Sequence, residues 1–302
     1  MKFDIVGKRY WWFLLSALIL IPGLISMAVQ GFNLGIDFTG GTLLDLKFAR
    51  PVTVVEVRDV LKDHQMENST IQLAATGQVE SATNVLIRTH VLGEDERRIV
   101  LNDVGERLGA FEVLRVEKVG AVVGEELTRN AILAVILSWV FMIVYITYRF
   151  EFKFAVSGIL TLVHDVLIML GAFSLLQKEV DATFVAALLT IIGYSINDTI
   201  VIFDRIRENL KTHRKGEGFK ELVNRSIWQT MTRSIYTVLT VLFAATSLYV
   251  FGGETTKNFS LALIIGVSAG AYSSIFIGSP IWVMWKEYVD RQRLVARSKG
   301  AK

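Results

Sequence analysis

The sequence predicts an α-helical membrane protein with six transmembrane helices and one inserted α+β domain outside the bilayer. Three observations carry that prediction. The 302 residues are 52% hydrophobic, and the mean hydropathy of +0.45 is high for a soluble chain of this length. Six apolar runs reach the roughly 20 helical residues that a bilayer core requires. One stretch, residues 36–120, changes to the patterning of a water-soluble domain. The chain has no cysteine, which excludes disulfides, thiolate metal sites and cysteine nucleophiles. Its net charge of +3 implies no polyanionic partner.

The runs are Tyr10–Val29, Ala131–Tyr148, Phe154–Leu176, Thr183–Phe203, Ser234–Phe251 and Phe259–Trp282. The first follows Lys8 and Arg9, as a secretory signal would. It is too long and too aromatic for an h-region and no A-x-A site follows, so an uncleaved anchor is expected. Lysines and arginines then set the orientation. Lys2, Lys8 and Arg9, Arg149 and Lys153, the segment from Arg205 to Arg225 and the tail from Lys286 share one side. The short loops opposite hold only Lys178 and Lys257. That bias expects both termini in the cytoplasm. The expected organisation is 1–30 as cytoplasmic N-terminus and first helix, and 31–130 as the extracytoplasmic domain. Residues 131–285 supply helices two to six with a cytoplasmic loop at 205–232, and 286–302 form a cytoplasmic tail.

Within the inserted domain, "IDFTGGTLLDLKF" opens on a Gly-Gly turn and enters a strand, Thr42–Phe48. "TVVEVRDVLKDH" places Val54, Val57, Val60 and Leu61 on a helical stripe, with Thr53 as N-cap and Glu56 at N3. Two strand candidates follow, "TIQLAAT" and "TNVLIRTH". "EDERRIVLNDVGERLG" reads as an acidic-started helix closed by Gly109, and "FEVLRVEKVG" as a last strand. The order β-α-β-β-α-β is that of a split βαβ, ferredoxin-like unit. Leu86 should then point away from the helices, because Val85 and Ile87 take the helix-covered face. The domain shows no catalytic constellation, and His64 and His90 read as isolated surface histidines. The residues Asp37, Phe38, Thr39, Gly40 and Gly41 read as a turn opening a strand. Their alternative is a hinge or docking element in which the glycines allow close backbone approach.

Polar groups inside the apolar runs are the candidates for function. Asp198 lies about 15 residues into the fourth run, ~22 Å along a helix at 1.5 Å per residue. Asn197 precedes it, and Asp204 follows near the end as a solvated interfacial charge. Asp165, next to His164, interrupts the third run, and Arg233 stands at the start of the fifth. Asp198 and Arg233 could pair directly or through water. Burial penalises an ionised carboxylate and a nearby guanidinium favours it. A site balanced between the two can load and release protons as water access changes. Ser195, Asn197 and Thr199 also suit plain hydrogen bonding between helices. Two aspartates, a histidine and an arginine over three helices point instead to an ion or proton pathway. A metal site is not expected, since adjacent His164 and Asp165 should face different sides of a helix.

"GIDFTGGT" after the first run, "VHDVLIMLG" in the third and "GYSINDTIVIFDRIREN" in the fourth resemble the SecF family of bacterial preprotein translocase subunits. The resemblance covers nearly the whole chain. It implies half of an RND-like twelve-helix bundle, completed by a SecD-like subunit beside the SecYEG channel. It further implies YajC and unfolded preprotein as partners, the bacterial inner membrane as location, no enzymatic activity, no cofactor and no metal. Asp198 and Arg233 fall on the family's proton path; Asp165 and Asn197 lie in the same motifs. The implied role is a proton-motive-force-driven accessory to preprotein translocation. Two other readings remain: half of an RND-type small-molecule exporter, or a scaffold for the larger subunit without proton chemistry of its own.

Overall fold

The structure, a computed structural model, describes residues 3–73, 80–149, 151–213 and 217–300. The end of the "TIQLAAT" strand candidate, the turn after it, and residues 214–216 of the basic segment lie outside the described residues. The chain divides into two units, Leu34–Leu133 and the remainder, Met1–Asn33 with Ala134–Lys302. In chain order the elements begin with α1 (Arg9–Val29), β1 (Asn33–Leu34), α2 (Ile36–Thr39), β2 (Gly41–Thr53), α3 (Val54–Lys62), β3 (Thr70–Leu73), β4 (Ser81–Thr89), α4 (Glu94–Leu108) and β5 (Phe111–Val119). They continue with α5 (Ala121–Arg149), α6 (Phe152–Leu175), β6 (Glu179–Val180), α7 (Ala182–Lys211), α8 (Phe219–Phe251) and α9 (Glu254–Ser273). A π-turn at Ser274–Gly278 then leads into α10 (Ser279–Gly300).

In the inserted unit, β3, β4, β2 and β5 form one antiparallel sheet in that order. With α3 and α4 between the strands, this is the ferredoxin-like topology. Local chemistry starts each helix. Thr53 Oγ1 accepts from the Glu56 amide at 3.2 Å while Glu56 Oε2 accepts from the Thr53 amide at 2.7 Å, a closed capping box. Leu44, Leu46 and Phe48 of β2 and Val85 and Ile87 of β4 meet Val57, Val60 and Leu61 of α3 and Val100, Val104 and Leu108 of α4 in one buried cluster. Each such side chain contributes about 1.5–3 kcal/mol relative to exposure. The opposite face carries Leu86 and Asp45, cross-strand partners, together with Arg88, Arg115 and Glu117.

The histidines of this unit are not isolated. His64 Nε2 lies 2.9 Å from Asp103 Oδ2, and His90 Nε2 lies 3.2 Å from Glu96 Oε1. His64 lies in the turn just after α3 and Asp103 belongs to α4, so their pairing follows from the packing of segments far apart in sequence. The hydrogen bond from His64, helped by the charge of Arg107, holds the Asp103 carboxyl below the usual range.

Among the described residues, six helices are long and apolar enough to cross a membrane. The third, fourth and last spans form the interior of the helical unit, while α1, α5 and α8 leave most of their apolar surface exposed. A helix apolar on every side is stable only against lipid or another protein. α1 crosses α6 at Gly23 and Gly171, so closely that a Cβ on either would stand under 3 Å from the other's Cα. One turn on, the Ser26 and Ser174 hydroxyls bond across the crossing at 2.8 Å. Small residues at such a crossing let backbones approach. In the last span Pro280 has no amide hydrogen for the carbonyl of Phe276, and the helix widens into the π-turn just before it.

Residues 205–232, expected as a cytoplasmic loop, are mostly helix: α7 continues to Lys211 and α8 begins at Phe219. Ile206, Leu222, Val223 and Ile227 are completely buried there, which keeps an apolar stripe running past the end of each apolar run. Asn209 donates to Ser226 Oγ and Gln229 Oε1, both at 2.8 Å, and ties the two helix ends together.

Candidate functional site

Asp198 sits in the second half of α7, partly buried. Its Oδ1 accepts a hydrogen bond from Ser234 Oγ of α8 at 2.5 Å. Its Oδ2 is buried and has no partner among the described residues. The sequence suggested pairing with Arg233, directly or through water. The direct form is absent among the described residues, where the neighbouring Ser234 holds the carboxylate; the Arg233 charge still acts on Asp198 from nearby. One step along a helix turns a side chain by about 100°, so Arg233 faces elsewhere. It lines a pocket of about 320 Å³ with Arg149, Asp204, Arg205, Glu208 and Gln229. Asp204, the expected solvated charge, is exposed there.

Asp165 on α6 is more deeply placed, only 1% exposed. Ser195 Oγ of α7 and Ser273 Oγ of α9 donate to its Oδ2 at 2.5 and 2.8 Å. Its Oδ1 lies 3.0 Å from His164 Nδ1. Here the expectation from helix geometry fails: the two side chains start on different faces, yet the imidazole is long enough to swing back onto its neighbour. A buried carboxylate needs several donors, and this one has them. Asn197, the remaining candidate, is exposed on α7 and joins neither cluster. Ser195 ties the two clusters together: it bonds Asp165 and lines a cavity of about 20 Å³ that Asp198 also lines.

The Gly-Gly segment belongs to the inserted unit. Ile36–Thr39 form a single turn of helix, and Gly40 ends it at φ 69°, ψ 170°, a conformation open only to glycine. A Cβ on Gly124 of α5 would lie 3.0 Å from the Gly40 amide nitrogen and 3.3 Å from the Phe38 carbonyl. The segment is therefore both a turn opening β2 and a close backbone contact with the first turns of α5. Gly124, which makes that approach possible, was not singled out in the sequence; a glycine within a helix was its signal. Ser234, Ser273, Ser16 and Tyr272 were missed too, since hydroxyls in apolar helices look alike until their partners are known.

Six spanning helices, buried carboxylates bonded between them and an inserted ferredoxin-like domain define a multi-pass membrane protein with ionisable chemistry in its helical core. The model of "Protein export membrane protein SecD/SecF, C-terminal" matches residues 100–288, and that of the "SecD/SecF GG Motif" matches residues 25–52. The protein translocase subunit SecF of Acidaminococcus fermentans is 54% identical over 291 residues, covering 96% of this chain and 99% of that protein. The protein translocase subunit SecDF of Bacillus subtilis is 39% identical over 290 residues, which are 94% of this chain but 38% of that one. The crystal structure of SecDF from Thermus thermophilus, described as a translocon-associated membrane protein, superposes with a TM-score of 0.86 at 36% identity. This chain spans 95% of its own length and 39% of that chain in the superposition. The chain belongs to the SecF family of protein translocase subunits.

Proposed function

We propose that this chain is the smaller half of a proton-motive-force-driven complex that assists preprotein translocation through the Sec channel. Its partners are a SecD-like subunit, the SecYEG channel, YajC and the unfolded preprotein. It works without enzymatic chemistry, in the bacterial inner membrane, with both termini cytoplasmic. The observation that carries the reading is the environment of Asp198. One oxygen is fixed by Ser234, the other is buried without a partner, the residue lines a small cavity, and Arg233, adjacent to Ser234, lines a charged pocket. A carboxyl so placed can hold a proton between α7 and α8 and exchange it with water that enters the cavity. Two SecDF relatives about two and a half times as long support pairing with a SecD-like half, because this chain matches only 38–39% of them.

The test is export of a slow preprotein into inverted vesicles, with and without an uncoupler. Asp198→Asn is nearly isosteric and keeps an acceptor for Ser234, so assembly should survive while the uncoupler-sensitive gain disappears. Arg233→Met should lose the same gain, and Arg233→Lys should retain part of it, keeping charge without the planar fork. Uncoupler-sensitive export that persists unchanged in Asp198→Asn would sink the reading.

A further inference from the structure

The Asp198 path does not by itself require a second buried ionisable pair, yet α6 supplies one. Asp165 and His164 are 1% and 7% exposed. The polar groups bonded around them come from three other helices: Ser195 of α7, Ser273 and Tyr272 of α9, and Ser16 of α1. The contacts form a series. Ser195 Oγ donates to Asp165 Oδ2 at 2.5 Å, Asp165 Oδ1 meets His164 Nδ1 at 3.0 Å, and His164 Nε2 meets Ser16 Oγ at 3.0 Å. Ser16 lies 3.4 Å from the Tyr272 hydroxyl, which donates to the Trp12 carbonyl at 2.7 Å. A carbonyl accepts a hydrogen bond and passes no proton on, so the series closes there.

Its other end opens toward Asp198. Ser195 and Asp198, nearly one turn apart on α7, line the same cavity of about 20 Å³ with Thr237. One water needs roughly 10–15 Å³ on this measure and two to four polar partners. Asp198, Ser195 and Thr237 are the lining residues that carry such groups: a carboxyl with one unpartnered oxygen and two hydroxyls whose oxygens can still accept.

We propose that Asp165 and His164 are a second proton-holding station, loaded from Asp198 through one water and the Ser195 hydroxyl. Protonated Asp198 gives its proton to the water, the water passes a different hydrogen to Ser195 Oγ, and Ser195 releases its own hydrogen to Asp165 Oδ2. Asp198 is left a carboxylate, Asp165 becomes a carboxylic acid, and the water and the hydroxyl are restored. The proton then stays on the Asp165 carboxyl, or, when Nε2–H points at Ser16 and Nδ1 is free to accept, a turn of the carboxyl about Cβ–Cγ brings the protonated oxygen to Nδ1 and the proton passes there. The Ser16 hydroxyl has an acceptor in either arrangement, Nε2 or the Tyr272 oxygen, so the surrounding bonds close in both. Because the series ends at Trp12, the station stores a proton and does not conduct it across. This rests on the reading of Asp198 as a proton carrier.

Infrared difference spectroscopy of the full chain, co-purified with its larger subunit and stepped in pH, tests the station. Two carboxyl C=O signals should change with pH, one absent in Asp198→Asn and the other in Asp165→Asn. Ser195→Ala should keep both signals but slow hydrogen–deuterium exchange at the second by on the order of a hundredfold, the low end of what a positioned proton-transfer group contributes. His164→Gln should move the pH midpoint of the second signal, which a purely structural hydrogen bond to a permanently ionised Asp165 would not do. A pH-dependent signal from Asp198 alone overturns the station and leaves the Asp198 reading standing; no signal from Asp198 overturns both. Unchanged exchange in Ser195→Ala overturns the route. Should Asp165→Asn fail to assemble, the His164→Gln midpoint decides, and an unmoved midpoint counts against the station.

Discussion

Gly41→Ala should unfasten the edge of the inserted domain more than any other single methyl addition near the Gly-Gly segment. Gly41 has φ +130°, where an L side chain is strained, at a cost of about 1–3 kcal/mol. Its new Cβ would stand 2.4 Å from the Thr89 carbonyl oxygen. Side chains do not approach within 3 Å, so β2 or β4 must give by roughly half an ångström, and such overpacking costs about 1–3 kcal/mol. The ladder there is short of alternatives. Thr42, the next residue, pairs with Thr89 across the strands and its Oγ1 accepts from the Leu92 amide at 2.9 Å. Taking about 3 kcal/mol as the combined cost, local opening should become roughly a hundredfold more frequent, at 1.4 kcal/mol per decade. Hydrogen exchange read by mass spectrometry on β2 and β4 peptides of the full chain measures this directly. Gly120→Ala is the control, because a Cβ there meets nothing within 4 Å. Protection within about threefold of the parent in Gly41→Ala would mean that the strain argument is wrong.

Gly171→Ala should push α1 and α6 apart and break the 2.8 Å Ser26–Ser174 bond, lowering stability by about 1–3 kcal/mol from overpacking and ~0.6 kcal/mol from the lost bond; an unchanged thermal midpoint in detergent would contradict it. Asp103 titrates below its ordinary range when folded, so its contribution is present above the ordinary carboxylate range and lost as pH falls through the lowered folded value. Asp103→Asn should therefore flatten the acid limb of the inserted domain's unfolding curve, and an identical limb would show that His64 and Asp103 do not couple to folding. For orientation, Gly93→Cys and Gly218→Cys use positions exposed in each unit of this cysteine-free chain. An impermeant maleimide should reach the first from outside and the second only after the inner membrane is opened, and the reverse pattern would invert the assigned topology.

The elements most legible in the sequence were those fixed by short-range chemistry. Thr53 and Glu56 are three residues apart and make their capping box without help from the rest of the chain. The strand and helix order of the inserted domain follows from residue periodicity, and the six spans follow from apolar length. What could not be read depends on partners distant in sequence. Ser234 and Arg233 are polar neighbours at the start of an apolar run, and only the rotation of α8 against α7 decides which of them holds Asp198. His64 looked solitary because its partner is 39 residues away. The segment at 205–232 is dense in charge, the usual mark of a solvated loop. Its buried stripe, Ile206 with Leu222, Val223 and Ile227, carries helical spacing through those same charges.

The exposed surface of the helical unit says where the proposed partner belongs. Asn197 and Tyr194 are exposed on α7 beside Asp198, and Arg233 and Tyr236 are exposed on the neighbouring turn of α8. Lipid against this face would leave the Asn197 amide without a hydrogen-bonding partner, which is costly in hydrocarbon. Covering the face with a second helical bundle removes that cost and narrows the access of water to Asp198 at the same time. Under the proposed pairing, Asn197, exposed and touching neither carboxylate cluster in this chain, gains a polar neighbour on the larger subunit.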